Sequence, residues 1–195
     1  MREIVRLVVV LTLICVVTAG ALEILRVQLE PRIEMQEDLN VRGPALASLF
    51  GKPADELLAN KVVFHHNDVD YPIFYLKENG EVTSLAIEAA GKGGYGGDVS
   101  IMIGIDLKRN RTLGMEIIKH AETPGVGSRI EKESFRKQWQ KLPSTEDVAL
   151  GKQIAAISGA TYSSRAAINA SNQIIAQVRD SKDEILALIQ KKENG

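Results

Sequence analysis

Cysteine is nearly absent from this sequence of 195 residues, and the single one, Cys15, lies in an apolar run near the N-terminus. The rest of the chain therefore has no disulfide, no thiolate zinc site and no iron–sulfur cluster ligated by protein. Redox chemistry there would require an organic cofactor. An excess of positive charge is also missing, because 24 basic residues stand against 25 acidic ones. This balance argues against nucleic-acid binding.

Signatures of metal binding and nucleophilic catalysis are weak. The three histidines, His65, His66 and His120, lack the spacing of a helical ligand pair and are simpler to interpret as polar residues at a sheet edge. No Gly-x-Ser-x-Gly elbow occurs, and Ser158 has no His or Asp close by in sequence. The sequence predicts neither a metal site nor a catalytic side chain.

An uncharged apolar run extends from Leu7 to Leu22, between Arg6 and Glu23. As a helix it would span about 24 Å, and residues 4–25 would cross a bilayer core of roughly 30 Å if Arg6 reached the interface. Basic residues before the run predict a cytoplasmic N-terminus, with the following domain on the periplasmic or extracellular side of the membrane. Ala19-Gly20-Ala21 also fits a signal-peptide cleavage site, and we expect a retained anchor.

The chain divides by pattern into three parts. Residues 1–27 are expected to form the cytoplasmic tip and membrane anchor, residues 28–60 a helical linker, and residues 61–195 an extracytoplasmic domain. In the linker, Pro31 is expected to bend or end the helix that leaves the membrane, and two short helices are predicted, from Ala45 to Phe50 and from Ala54 to Asn60.

Strand patterns fill the first half of the globular part. Two runs flank Asn79-Gly80, a strong hairpin signal. The run after the glycines is typical of an alternating strand, with one face formed by Val99, Ile101, Ile103, Ile105 and Leu107. A further strand is expected to place Leu113, Met115 and Ile117 on one side. These patterns predict an α+β fold: a twisted antiparallel sheet with one buried face and packed helices.

Helical patterns dominate the second half. Ser128 to Leu142 is predicted to be one helix, with Phe135 and Trp139 on its buried face. The last helix is predicted from Arg165 to Gln190, with a break near Asp180 where Ser181 and Glu184 could form a capping box.

Two loops are candidates for ligand contact. Gly91-x-Gly93-x-x-Gly96 formally matches a dinucleotide fingerprint but runs into a strand, so a flexible bend at a sheet edge or a close backbone approach to a ligand is the better interpretation. Tyr95, alone among glycines, is expected beside a flat group or exposed in a plain loop. The loop from His120 to Gly127 is either a simple turn or a ligand-contacting loop that offers Glu122.

The segment Ser158-Gly159-Ala160-Thr161-Tyr162-Ser163-Ser164 follows an apolar run, Ile154 to Ile157, expected to be buried, and precedes the last helix. Small side chains at a helix N-terminus suit either an ordinary N-cap, by Ser158 or Thr161, or phosphate binding by free N–H groups and the helix dipole. The residues alone leave both interpretations open.

Three segments together resemble one family. Gly93-Gly94-Tyr95-Gly96-Gly97, His120 to Gly127 and Ser158-Gly159-Ala160-Thr161 resemble the flavin-carrying subunit of membrane electron-transfer complexes. That is the G subunit of the Rnf complex, or the related C subunit of the sodium-pumping NADH:quinone reductase. The resemblance implies that Thr161 carries FMN through a phosphoester installed by a flavin transferase. One departure is Ala155, where such motifs commonly have an acid.

The resemblance also implies the function. We expect a membrane-anchored electron carrier within an ion-translocating ferredoxin:NAD⁺ oxidoreductase of the Rnf type, associated with other subunits and with the bilayer. The alternatives are the quinone-reductase subunit and an anchored binding or scaffold domain without flavin. The residues expected at FMN are Thr161, Ser158, Gly159, Ala160, Ser163, Ser164, Glu122, Thr123, Gly125 and Tyr95.

Overall fold

A computed structural model describes residues 2–194, so Met1 and Gly195, the outer limits of the predicted first and last parts, lie outside the described residues. Contacts divide the chain into two units, Met1–Asn40 and Val41–Gly195. The boundaries predicted after residues 27 and 60 stay predictions.

The first unit consists of one helix, α1 (Arg2–Glu37), followed by the start of a π-helical turn, Asp38–Arg42. No residue of α1 is buried, and it is long and apolar enough to cross a membrane, with a mean hydropathy of 2.6 over 18 residues. The prediction that Pro31 could end a helix is wrong, since α1 continues through it. Proline removes only one backbone donor, and the long helix tolerates this local loss.

A five-stranded antiparallel sheet forms the centre of the second unit, and its strands pair in sequence order. The strands are β1 (Lys61–His66), β2 (Val69–Glu78), β3 (Glu81–Gly91), β4 (Val99–Asp106) and β5 (Arg111–Lys119). The predicted hairpin is confirmed: Asn79 and Gly80 join β2 to β3 with φ values of 55° and 84°, as a two-residue turn with left-handed backbone requires. The predicted α+β class is likewise confirmed.

Both faces of the sheet are buried, which corrects the prediction of one buried face. The long helix α5 (Thr161–Glu193) packs on one face and contributes to the main core. Two short helices, α2 (Gly43–Phe50) and α3 (Ala54–Leu58), form a smaller core with the other face. The strands show why: Phe74, Ala86 and Met102 supply apolar side chains to that second face.

A bulge in β5 changes one predicted face. Gly104 of β4 pairs with Gly114, whereas the next residue, Ile105, pairs with Thr112, so Leu113 is the extra residue. Leu113 lies beside Leu49 of α2, and Met115 packs into the main core. The prediction of Leu113 and Met115 on one side is therefore wrong, because a bulge breaks the period of two.

The helix predicted from Ser128 to Leu142 is three short segments. They are a 3₁₀ turn at Gly127–Glu131, the helix α4 (Glu133–Arg136) and a 3₁₀ turn at Lys137–Trp139. Lys132 between them is extended, with φ −62° and ψ 136°. This break lets Ile130 face the core together with Phe135 and Trp139. In one continuous helix it could not, because Ile130 and Phe135 are five residues apart and would lie on different faces.

The last helix contains the predicted break, but the run before it differs from the prediction. The predicted break is confirmed, since Ser181 has a non-helical φ of −126° inside α5. Before the helix, Ile154 is buried but Ala155 and Ala156 are exposed, so the expectation of a buried run is wrong. Gln138 hydrogen-bonds the N–H and carbonyl of Ala155 at the surface, and this pairing satisfies an exposed segment that joins no strand.

Candidate functional site

The N-terminus of α5 leaves one hydroxyl free. The helix begins at Thr161 after Ala160, and no side chain caps it, so the predicted cap by Ser158 or Thr161 is wrong. Ser164 holds the turn instead: its Oγ accepts from Ile157 N–H at 3.1 Å and donates to the Ala160 carbonyl at 3.0 Å. Thr161 is consequently exposed, with its hydroxyl available to a ligand.

The same turn presents backbone donors. Gly159 adopts a left-handed φ of 79°, and Ala160 N–H donates back to the Ile157 carbonyl at 2.9 Å. The first N–H groups of an α-helix have no intrahelical acceptor, and the helix dipole places partial positive charge there. Thr161 therefore lies at a favourable position for an anion.

Glu122 joins three segments that are far apart in sequence. Its side chain is buried, with 5% of the residue exposed. One oxygen, Oε1, accepts from Gly96 N–H at 3.2 Å, and the other, Oε2, accepts from the Ser163 hydroxyl at 2.6 Å. A single carboxylate thus connects the glycine-rich loop, the loop after β5 and the first turn of α5.

Glycines permit this close approach. A Cβ on Gly94 or Gly127 would overlap the Glu122 carboxylate, and one on Gly96 would overlap the Ala121 carbonyl. The glycine-rich segment therefore approaches the protein's own chain closely. The expected close approach to a ligand stays a prediction. No helix follows the segment as a dinucleotide fingerprint requires, since it leads into β4.

A small cleft of about 100 Å³ lies where these segments meet. Two tyrosines border it with their rings largely in solvent, Tyr95 at 79% and Tyr162 at 62% exposure. The full lining is Tyr95, Glu122, Val126, Gly127, Gly159, Ala160, Tyr162 and Ser163. Exposed aromatic faces beside a cleft suit a flat ring system.

Five of the predicted residues do not line the cleft: Ser158, Thr161 and Ser164 belong to the turn and the first residues of α5, and Thr123 and Gly125 form the loop after β5. The Thr123 carbonyl accepts from the N–H groups of Val126 and Ser128 at 3.2 Å each. Gly125 has a φ of 75°, and its N–H donates to the Ser128 hydroxyl at 2.9 Å. Thr123 and Gly125 thus shape the turn that carries Val126 to the cleft.

Five residues near the site were absent from the predicted set, and two of them, Val126 and Gly127, line the cleft. Tyr162 borders the cleft, and Arg129 Nη1 donates to the Ser158 carbonyl at 3.2 Å. His120 holds the backbone of Glu122, because its Nδ1 accepts from Glu122 N–H at 3.0 Å. Tyr162 could have been noticed beside Thr161, whereas the position of Arg129 follows only from tertiary folding.

The fold and this site define an α+β domain in which a cleft with an aromatic border lies at the N-terminus of a helix whose first residue, Thr161, is exposed. These residues fit FMN: the exposed Thr161 hydroxyl and the free N–H groups suit its phosphate, and the tyrosines suit its ring. Comparison with known proteins agrees, because residues 94–176 match the family model described as FMN-binding domain. The resemblance to this family is confirmed.

Three curated relatives are each named as the G subunit of an ion-translocating oxidoreductase complex. The protein from Vibrio parahaemolyticus is 31% identical over 60% of this chain and 59% of its own length. The protein from Haemophilus influenzae is 33% identical over 50% of this chain and 51% of its own length. The chain therefore spans about half the length of these two relatives. The protein from Methanosarcina acetivorans is 28% identical over 91% of this chain and 95% of its own length.

Two solved structures of the C subunit of the Na⁺-translocating NADH-quinone reductase are similar to this chain. NqrC from Shewanella oneidensis has a TM-score of 0.49 at 19% identity and covers 63% of this chain and 62% of its own. The protein from Parabacteroides distasonis has a TM-score of 0.46 at 22% identity, with 56% and 62% covered.

Proposed function

We propose that this protein carries FMN joined covalently to Thr161 through a phosphoester, as a membrane-anchored electron-transfer subunit of an Rnf-type complex. The observation that carries the proposal is the exposed Thr161 hydroxyl, located at the N-terminus of α5 within the segment that matches the FMN-binding domain. Flavin supplies the electron transfer, and the chain supplies its placement and surroundings.

Each part of the site has a role toward FMN. The N–H groups at the start of α5 bind the phosphate, and Arg129 adds positive charge beside Ser158. Tyr95 and Tyr162 contact the ring system at the border of the cleft. Glu122 with Ser163 holds the loops in place. During electron transfer no side chain needs to act as acid, base or nucleophile, because the flavin supplies that chemistry.

The decisive experiment is intact-mass measurement after co-expression with a flavin transferase. The expected mass gain is one FMN less one water, located on the peptide that contains Thr161. Thr161→Ala should abolish the gain, whereas Ser158→Ala should retain it because Ser158 is not the acceptor. An unmodified wild-type protein, or a label that persists in Thr161→Ala, would contradict the proposal. The result also shows whether attachment tolerates Ala155 in place of an acid.

Partners and membrane topology belong to the same proposal. The names of the curated relatives support association with the other members of an ion-translocating oxidoreductase complex. The apolar helix α1 supports anchoring in the bilayer, with the N-terminus cytoplasmic and the FMN domain on the other side. Protease added outside right-side-out vesicles should remove the domain. Digestion only after the cytoplasmic side is opened would reverse this orientation.

A further inference from the structure

Glu122 is a buried carboxyl group in the lining of the cleft. Both of its oxygens are hydrogen-bonded, Oε1 to Gly96 N–H and Oε2 to the Ser163 hydroxyl, and both partners are neutral groups. Among residues 2–194, no Lys or Arg side chain forms an ion pair with it. Were this group ionised, its charge would be stabilised by two neutral donors without a cation.

A buried carboxylate with only neutral partners lowers the stability of the fold. Removing a carboxylate from water carries a large desolvation cost, and hydrogen bonds from neutral groups offset only part of it. A neutral glutamine could connect the same loops through one carbonyl oxygen and one amide group. The structural role of Glu122 therefore does not by itself require its charge.

We infer that the charge of Glu122 sets the reduction potential of the flavin, an inference that rests on the function proposed above. Glu122 lines the same cleft as the two tyrosines. Electrons taken up from a one-electron donor add negative charge to a flavin ring. A fixed negative charge in a poorly solvated site opposes that addition, because the Coulomb energy between charges grows as the dielectric constant falls. Glu122 thus lowers the midpoint potential and is a positioning and tuning residue.

The test is a spectroelectrochemical titration of full-length, flavin-loaded protein in detergent, with mediators and dithionite as the reductant. Glu122→Gln keeps the shape and removes the charge. The midpoint potential should become more positive by at least about 30 mV, which is a tenfold change in the two-electron equilibrium. Asp98→Asn is the matched control: it removes the same charge from an exposed carboxylate one residue after Gly97, where water screens it.

A second variant separates charge from structure. Ser163→Ala removes the donor to Oε2 and leaves the carboxylate, so its field is less neutralised and the potential should become more negative. If the role of Glu122 were purely structural, both substitutions would loosen the loops. The midpoint potentials of the two variants would then shift in the same direction. Opposite shifts in Glu122→Gln and Ser163→Ala therefore support the inference, even if one variant is poorly stable.

The measurements distinguish failure of this inference from failure of the proposed function. Flavin on Thr161 in Glu122→Gln, with a potential shift no larger than that of Asp98→Asn, overturns the inference and leaves the proposed function intact. A negative shift in Glu122→Gln, or a positive one in Ser163→Ala, also overturns it. Wild-type protein without FMN by intact mass overturns the proposed function and this inference with it.

Discussion

Hydroxyl groups at the start of α5 differ in what they contact. Ser163 donates to a buried carboxylate, and Ser164 holds the turn before the helix. Thr161, between them and the loop, is exposed. The sequence motif identified the segment, and the resemblance singled out Thr161. Neither could assign the separate roles of Ser163 and Ser164, because these depend on which loops fold against the helix.

Arg129 should promote attachment of FMN. Its guanidinium lies beside the Ser158 carbonyl and, within the described residues, pairs with no carboxylate, so it is available to the phosphate. We expect Arg129→Ala to slow attachment by a flavin transferase about tenfold, a factor that corresponds to roughly 1.4 kcal/mol. The measurement is the mass-shifted fraction over time.

Arg165→Ala serves as the control for Arg129, since Arg165 is exposed on the first turns of α5 and carries the same charge. Arg129→Lys should recover part of the rate, because it restores the charge without the planar fork. Equal rates for Arg129→Ala and Arg165→Ala would show that Arg129 has no special role.

Gly127 should not tolerate a side chain. A Cβ at this position would overlap the Glu122 carboxylate and lie 2.8 Å from Ser163 Oγ. Gly127→Ala should lower the free energy of unfolding by about 1–3 kcal/mol, as overpacking does, and reduce attachment of FMN. Gly114→Ala is the control, because its nearest neighbour would be a flexible Leu49 atom at 3.4 Å. Thermal unfolding of both variants measures the difference.

At the scale of elements, prediction succeeded where the signal is local. The Asn79-Gly80 turn depends on local backbone geometry, and both it and the strand predicted at Val99 are confirmed. The strand does not alternate between buried and exposed residues, because both faces of the sheet are covered. Ser128 to Leu142 was mispredicted because Lys132 is extended to bring Ile130 into the core. A tertiary requirement overrode the local helical spacing there.

A buried hydrogen bond links the segment before Pro143 to α5. Trp139 Nε1 donates to Ser171 Oγ at 2.7 Å, and both residues are fully buried. Ser171→Ala should lower the free energy of unfolding by about 1–3 kcal/mol, because the indole N–H is left without an acceptor. Gln190→Ala on the exposed side of α5 should change it by less than about 0.5 kcal/mol. Urea unfolding followed by Trp fluorescence gives both values, and equal values would contradict the expectation.

At the scale of the whole molecule, the second unit should fold alone. No residue of α1 is buried, and residues 41–195 contain both clusters of the core. A chain that begins at Val41 should therefore be soluble and unfold cooperatively. Its melting temperature should equal that of the full chain in detergent to within a few degrees. A chain that begins at Lys61, without α2 and α3, should be destabilised or aggregate, because it exposes Phe74 and Met102. Circular dichroism measures both.

Acid should weaken the β4–β5 turn. Burial tends to raise the pKa of Asp106, but hydrogen bonds from Arg109 and Lys108, with the charge of Arg109, outweigh it and lower the pKa. A pKa lower in the folded than in the unfolded state adds stability above the unfolded value, about 3.9, and this is lost as the pH falls through the folded value.

Asp106→Asn should therefore be less stable than wild type at pH 7, by about 1–2 kcal/mol, and the difference should shrink below about pH 4. Urea unfolding at both pH values measures it. A difference that stays constant with pH would mean that the charge of Asp106 contributes nothing. The low pKa of Asp106 follows from contacts that only the folded turn makes, so the sequence pattern alone did not predict it.

The carboxylate of Glu122 also has a kinetic consequence. Its two hydrogen-bond partners, Gly96 and Ser163, lie far before and after it in the chain. Contacts between distant positions form late, because closing long loops costs entropy before the contacts repay it. The cleft therefore does not exist while the chain is still being synthesised, and it appears only when the sheet and α5 have docked. Loading with a cofactor at this place would report that folding is complete.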